Sequence, residues 1–252
     1  VDFDFTANYT REKVKNRPAL GDSQSNVGKN LMTLAGTYDQ AWLKHYEDAD
    51  GSYSNWNGND QYNRNPYWDL YKNRNTSDKD VFRFTGKAIW NINKHLKLQG
   101  TIGTDINSMN FEDFIAKTTP GTPAGKLTDQ IFKNRTLNAE ILALYNNSWG
   151  DFDVNATAGG NIFKVNNKTT TNVGLNQQMS GIQNIMNYQE QNTRESMYKK
   201  QICSLYASAS LGYKHTYYLE GTLRGDKSST LPVNNNTYVY PSVSGSLVFS
   251  EF

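Results

Sequence analysis

Val81-Phe82-Arg83-Phe84-Thr85-Gly86-Lys87-Ala88-Ile89-Trp90-Asn91-Ile92, a tight turn near Asn93-Lys94, and then Leu96-Lys97-Leu98-Gln99-Gly100-Thr101-Ile102 decide the fold class. Phe82, Phe84, Gly86, Ala88, Trp90 and Ile92 face one way, while Arg83, Thr85, Lys87 and Asn91 face the other. After the turn, Leu96, Leu98, Gly100, Ile102 and Ile106 alternate with Lys97, Gln99, Thr101, Asp105 and Asn107. A period of two puts successive side chains on opposite faces of a strand, so each run is a strand with one apolar and one polar face. The short connection makes the two runs an antiparallel hairpin.

The same alternation recurs on both sides of this hairpin. From Val1 to Tyr9 every odd position is apolar or aromatic. Leu137 to Trp149, a turn at Gly150-Asp151, and Phe152 to Ala158 repeat the pattern. Cys203, Leu205, Ala207, Ala209 and Leu211 oppose Ser204, Tyr206, Ser208 and Ser210. Beyond a turn at Lys214-His215-Thr216, Tyr217, Leu219, Gly221 and Leu223 alternate with Tyr218, Glu220, Thr222 and Arg224, and a last strand runs from about Tyr238 to Phe249. Between these runs lie long connections at residues 11–80, 114–128, 166–191 and 226–236. The first holds Trp42, Tyr46, Tyr53, Trp56, Tyr62, Tyr67 and Trp68, with a short helix expected within Asn26 to Tyr38 despite its two glycines.

Tight turns and long polar loops therefore take turns along about eight strands, as in transmembrane barrels with short turns on one side and long loops on the other. Trp90, Trp149, Tyr213 and Tyr217 lie close to the tight turns, where a membrane interface favours amphipathic rings. The competing architecture is a soluble β-sandwich with decorated loops, whose strands also alternate. Composition fits the barrel: only 37% of residues are hydrophobic, yet 13% are aromatic, and mean hydropathy is −0.74. A wet lumen, a lipid-facing band and long loops give that mixture, whereas disordered chains are poor in aromatics.

No apolar run approaches the ~18 residues of a membrane-spanning helix, a limit that does not apply to strands. The first residue, Val1, lies within a strand-like pattern, which reads as a mature product or an excised fragment. Cys203 stands alone, leaving no internal disulfide and no multi-cysteine metal site. With a formal charge of +2 and scattered cations there is no nucleic-acid footprint.

Two stretches resemble a particular family. Tyr218-Leu219-Glu220-Gly221-Thr222-Leu223-Arg224-Gly225-Asp226-Lys227-Ser228-Ser229, followed by Tyr240-Pro241-Ser242-Val243-Ser244, is similar to a signature of the SusC/RagA-type TonB-dependent outer-membrane transporters of Bacteroidetes. Asn65-Pro66-Tyr67-Trp68, with Asp50-Gly51 before it and the strands of Arg83-Phe84 and Leu96-Lys97-Leu98 after it, resembles a loop and strand pair of the same family. The likeness covers about residue 26 to the end.

The resemblance implies an all-β fold: an antiparallel transmembrane β-barrel segment with long extracellular loops, residues 11–80 being the longest. It implies a middle piece of a barrel of about 22 strands, with the plug and the TonB-binding box outside the chain and the family pattern continuing past Ser250-Glu251-Phe252. It also implies TonB-driven import of glycans or peptides across the Gram-negative outer membrane, with a SusD-like surface lipoprotein as lid. Neither a cofactor nor an enzymatic activity belongs to that picture. A secreted all-β carbohydrate-binding module is the alternative function.

Within this frame the aromatic loop around Trp42, Trp56, Tyr62 and Trp68 is the candidate ligand or partner surface, since rings stack on sugars and also anchor protein interfaces. Asp48, Asp50 and Gly51 superficially resemble a calcium loop, but its first and last positions would fall on Tyr46 and Asn57, so an Asp-Gly turn is expected. His45, His95 and His215 show no ligand spacing. Glu220, Arg224 and Asp226 share one strand face and read as a charge ladder on a lumen wall.

Overall fold

The computed structural model describes residues 1–249, and the reading of Ser250-Glu251-Phe252 falls outside them. Eight strands form one antiparallel sheet in chain order. They are β1 (Asp2–Lys15), β2 (Arg74–Asn91), β3 (Leu96–Ile115), β4 (Lys126–Trp149), β5 (Phe152–Gln177), β6 (Tyr188–Tyr213), β7 (Tyr217–Ser228) and β8 (Thr237–Leu247). Each pairs only with its sequence neighbours, and among the described residues no ladder joins β1 to β8. The sheet is thus open, with an edge on each side.

The three tight turns form as the sequence predicts. The side chain of Asn93 accepts from the backbone N–H groups of His95 and Leu96, closing β2–β3. Gly150 takes φ +58° in the two-residue turn between β4 and β5, and Lys214 and His215 both take positive φ in the three-residue turn between β6 and β7, where Tyr213 pairs with Tyr217.

Strand extents differ from the sequence reading. The connection assigned to residues 11–80 spans only 16–73, because the β1–β2 ladder continues through Lys15 and Thr76. That assigned to 166–191 shrinks to 178–187, and the ladder from Asn166↔Lys199 to Leu175↔Glu190 is continuous. In both arms charged and polar residues occupy the two faces, so the apolar–polar period disappears while backbone pairing persists. Cross-strand ion pairs take over there: Arg11–Asp78 at 2.7 Å and Lys168–Glu195 at 2.7 Å.

Register shows what the two faces are. Phe3, Ala88, Gly100, Ile141, Gly160, Leu205, Gly225 and Val239 stand opposite one another across all eight strands. The neighbouring row on the other face reads Asp4, Lys87, Thr101, Glu140, Asn161, Ser204, Asp226 and Tyr238. The apolar face is the exposed one: Ile141 is 61% and Leu205 75% exposed, whereas Ser204 on the polar face is 3% exposed. This inverts the rule for a water-soluble sheet.

At one end the apolar face finishes in the row Trp149, Phe152, Tyr213 and Tyr217, beside the tight turns. At the other it gives way to Arg11, Asp80, Ser108, Lys133, Lys168 and Met197. Between these limits β3 runs from Leu96 to Ile106. At about 3.4 Å per residue and a tilt of about 40°, that is about 26 Å of height, the thickness of a barrel's apolar band.

The core lies elsewhere. The buried hydrophobic residues are Leu43, Tyr53, Trp68, Phe114, Leu127 and Tyr188, all in or beside the long loops. Phe114, Leu127 and Tyr188 pack with Ala116 and Ile185. Gly174 is required there, since a Cβ on it would stand 2.6 Å from the Tyr188 ring. No second sheet covers the apolar face among the described residues, so the sandwich architecture is not the one this sequence adopts.

Candidate functional site

Residues 16–73 fold into a compact cap at the loop end of the sheet, and the sequence explains how. Helix α1 (Val27–Met32) is shorter than the Asn26–Tyr38 reading and begins at Asn26, whose side chain accepts from the Lys29 N–H. A 3₁₀ turn (Gln40–Lys44) is capped in the same way by Asp39. Helix α2 (Pro66–Tyr71) has Asn65 as N-cap and Pro66 in its first turn, where a missing N–H costs nothing.

Asn65 does more than cap. Its Nδ2 donates to the carbonyls of Leu43 at 2.9 Å and Ser54 at 3.2 Å, its Oδ1 accepts from the Tyr67 N–H, and its own N–H donates to the Tyr53 hydroxyl at 2.7 Å. Burial pushes that hydroxyl up to about 12. One asparagine thereby ties α2 to two distant turns. The expected Asp-Gly turn is also present, with Gly51 at φ +81° donating to the Asp48 carbonyl.

Trp68, counted among the candidate surface aromatics, is 1% exposed and presents no face to solvent. Its ring meets Tyr53 edge-on at 5.4 Å, and its Nε1 donates to the Thr119 hydroxyl at 2.8 Å. Thr119 belongs to the neighbouring connection at 116–125 and is itself fully buried. Asn73 binds the same loop by accepting from the Ala116 N–H, and Thr118 accepts from the Tyr53 N–H. The Gln177 N–H reaches the Ala124 carbonyl, drawing in the loop at 178–187. Three connections far apart in sequence therefore form one capped structure.

The other three aromatics are exposed, but only two come together. Trp42 and Trp56, 59% and 42% exposed, flank Tyr38 at ring distances of 4.9 and 5.0 Å. Tyr62 is exposed and, among the described residues, makes no ring contact with this group. Tyr38 is the member that sequence reasoning missed; the Asp39-capped turn delivers it, and an Asp before a short polar–aromatic run was the available signal. The cluster offers adjacent aromatic faces beside the polar groups of Asp39 and Gln40, a surface able to stack on rings or pack against apolar side chains.

Asp69 and Arg64 are the charged pair inside the cap, 3.3 Å apart and both buried. Burial holds the Asp69 carboxyl above the usual carboxylate range, against the opposing pull of Arg64 and the hydrogen bond from Asn73. A raised folded-state value means that the folded cap binds the proton more tightly than the open chain does. This contribution is complete below the ordinary carboxylate range and is lost as pH rises through the elevated value. Hydrogen-exchange protection of the Lys72 and Asn73 amides, corrected for intrinsic rates, is expected to fall as pH rises through that window. In Asp69→Asn, whose neutral amide stands in for the protonated carboxyl, the protection should be flat with pH; an unchanged slope would remove Asp69 as the source.

On the polar face of the sheet two members of the expected charge ladder, Arg224 and Asp226, pair and extend to residues of β4 and β6, while Glu220 does not join them. Arg224 Nε donates to Asp226 at 2.9 Å, and Nη2 donates to Ser204 at 3.2 Å. The guanidinium lies 5.4 Å over the Tyr206 ring, and the Tyr206 hydroxyl donates to Glu140. Glu220 sits further down the face, opposite Ser210 and Ser244. Ser229, last residue of the quoted signature, closes the strand end by accepting from the Gln201 N–H. These side chains line a wall, and among the described residues no cluster of three or more metal-binding side chains accompanies them.

No family model matches the chain, and no curated protein matches it. Solved structures do. The chain is similar to a chain of the RagAB peptide transporter, with 17% identity and a TM-score of 0.68 over 77% of its length. It is also similar to chains of the RagAB peptide importer in its closed-closed and open-open states, with 16% and 17% identity and TM-scores of 0.74 over 96% of its length. It spans 22–28% of the length of those chains. At such identity the likeness establishes a shared strand architecture.

Proposed function

We propose that this chain is a wall segment of a SusC/RagA-type outer-membrane transporter, with its loop cap forming part of the outer vestibule. The observation that carries the reading is the inverted polarity of the sheet. A band of exposed apolar residues ends in an aromatic row at the tight turns, while the polar and charged side chains of the strands gather on the opposite face. Unpaired backbone groups are not tolerated in lipid, so the open edges at β1 and β8 call for further strands of a larger barrel. The architecture shared with importer chains about four times as long supports the same view.

In this reading the ligand is a glycan or a peptide that meets Tyr38, Trp42 and Trp56 at the mouth. A SusD-like lipoprotein closes over the cap, and the TonB complex acts through a plug region elsewhere in the protein. The segment's own work is binding and lining the passage; it performs no catalysis. The test uses the intact protein carrying this segment. It should fractionate with the outer membrane, require detergent for extraction, and migrate faster unheated than boiled on a denaturing gel. Replacing Trp42 and Trp56 by alanine should weaken binding of the transported oligosaccharide or peptide at least tenfold, as loss of two interface rings does. A freely soluble monomer would sink the proposal.

A further inference from the structure

On the outward face, at the upper edge of the apolar band, cations gather with Glu195 as their one paired carboxylate among the described residues. Register places Arg135 and Lys199 on either side of Asn166, Lys133 and Met197 on either side of Lys168, and Lys164 between Leu137 and Gln201. Lys168 is paired with Glu195 at 2.7 Å. Among the described residues Lys133, Arg135, Lys164 and Lys199 form no ion pair. Strands about 4.8 Å apart and same-face residues about 6.8 Å apart put the heads of Lys133, Arg135 and Lys199 within reach of a single small anion, with Lys164 one row further toward the tight turns. A surface cavity of about 510 Å³ lies among the first three of these, lined by Lys133, Arg135, Asn166, Lys168, Met197 and Lys199. Mutual repulsion makes such a cluster unfavourable unless an anion or a negatively charged surface compensates it.

Immediately toward the tight turns, on the same face, is a second cavity of about 720 Å³. Ala139, Ile141, Gly160, Ile162, Leu205 and Gly225 line it, with the Leu205 side chain lying over Gly160, where a Cβ would stand 3.1 Å from Leu205 Cδ2. Lys227 stands at its edge. A cationic cavity above an apolar trough matches one kind of molecule, an amphiphile with an anionic head and acyl tails. We infer that β4–β6 seat a phosphorylated membrane lipid here, its phosphate among Lys133, Arg135 and Lys199 and its acyl chains along the trough. Each basic side chain at a membrane surface favours an anionic headgroup, and long cationic side chains keep their stems on apolar surface while their heads reach the phosphate.

The inference rests on the proposed membrane reading, and the experiment separates the two. The intact protein in neutral detergent is titrated, with native mass spectrometry as readout, against phosphatidic acid and against diacylglycerol of the same acyl chains. Phosphatidic acid should bind at least tenfold more tightly. That preference should vanish in Lys133→Gln/Arg135→Gln/Lys199→Gln. It should persist in Lys133→Arg/Lys199→Arg and in Lys87→Gln/Lys97→Gln/Lys200→Gln, which removes as many charges from the polar face. Thermal unfolding in detergent identifies any variant that fails to fold, and the arginine variant then carries the comparison.

Millimolar inorganic phosphate at constant ionic strength should leave lipid retention unchanged; full displacement would mark a free-anion site and overturn the lipid assignment. Equal binding of the two lipids would overturn it as well. A protein that stays soluble without detergent would instead defeat the barrel reading itself.

Discussion

If the proposed barrel spans a membrane, arginine in place of Ile141 will destabilise it by about 2–4 kcal/mol, the cost of a cation near mid-depth on a lipid-facing wall. Ile141 is 61% exposed on the apolar face of β4, close to midway between the aromatic row at Trp149 and the cationic edge at Arg135. Its register partners are Gly100 and Gly160, which offer no hydrogen-bond acceptor on a side chain. Among the described residues of β2 to β7, that face carries no carboxylate between the tight turns and Asp80. The guanidinium would have to stretch toward an interface or draw water into the band. Thr85→Arg on the polar face of β2, where Lys87 already stands, should change stability by no more than about 0.5 kcal/mol. Urea titration of the intact protein refolded into bilayers reads both. If the apolar face met water instead, arginine at 141 would be neutral or favourable, and that outcome would end the membrane interpretation.

Much of this arrangement was legible because a strand with two different environments writes a period of two into its residues. Phe82 to Trp90 and Leu205 to Leu211 are such places, and their faces stand where the alternation puts them. Legibility stops where the environment becomes the same on both sides. Lys168 to Asn172 alternates nothing, since the upper arms of β5 and β6 meet water on both faces; only the β-branched run Thr169-Thr170-Thr171 hinted at the ladder. The cap was harder still. Trp42 and Trp68 are the same residue in the same loop, yet one is 59% and the other 1% exposed. What separates them is a partner at a sequence distance of 51, Thr119, which no local pattern announces. Asn65-Pro66 did carry information, for an N-cap followed by proline starts a helix and aims its third residue inward.

Removing that inward ring should open the cap and leave the wall standing. Trp68→Ala deletes the largest fully buried side chain, and vacating such a site costs about 3–5 kcal/mol because the surroundings collapse only in part. The loss falls on contacts that join residues 16–73 to 116–125: the edge-on packing with Tyr53 and the hydrogen bond to Thr119. Both loops should therefore become protease-sensitive together, and exchange protection should fall at Lys72, Asn73 and Thr122, whose N–H groups donate inside the cap. The strand ladders of β3 to β6 have their own continuous pairing and should keep their protection. Trp68→Phe retains most of the packing and leaves the Thr119 hydroxyl with its bond to the Ala116 carbonyl, so its cost should be nearer 1 kcal/mol. Combined with Thr119→Val, Trp68→Ala should cost less than the sum of the two single changes, because both remove the same link. Cleavage confined to the first loop would show that the connections fold independently, and the cap would then be two structures instead of one.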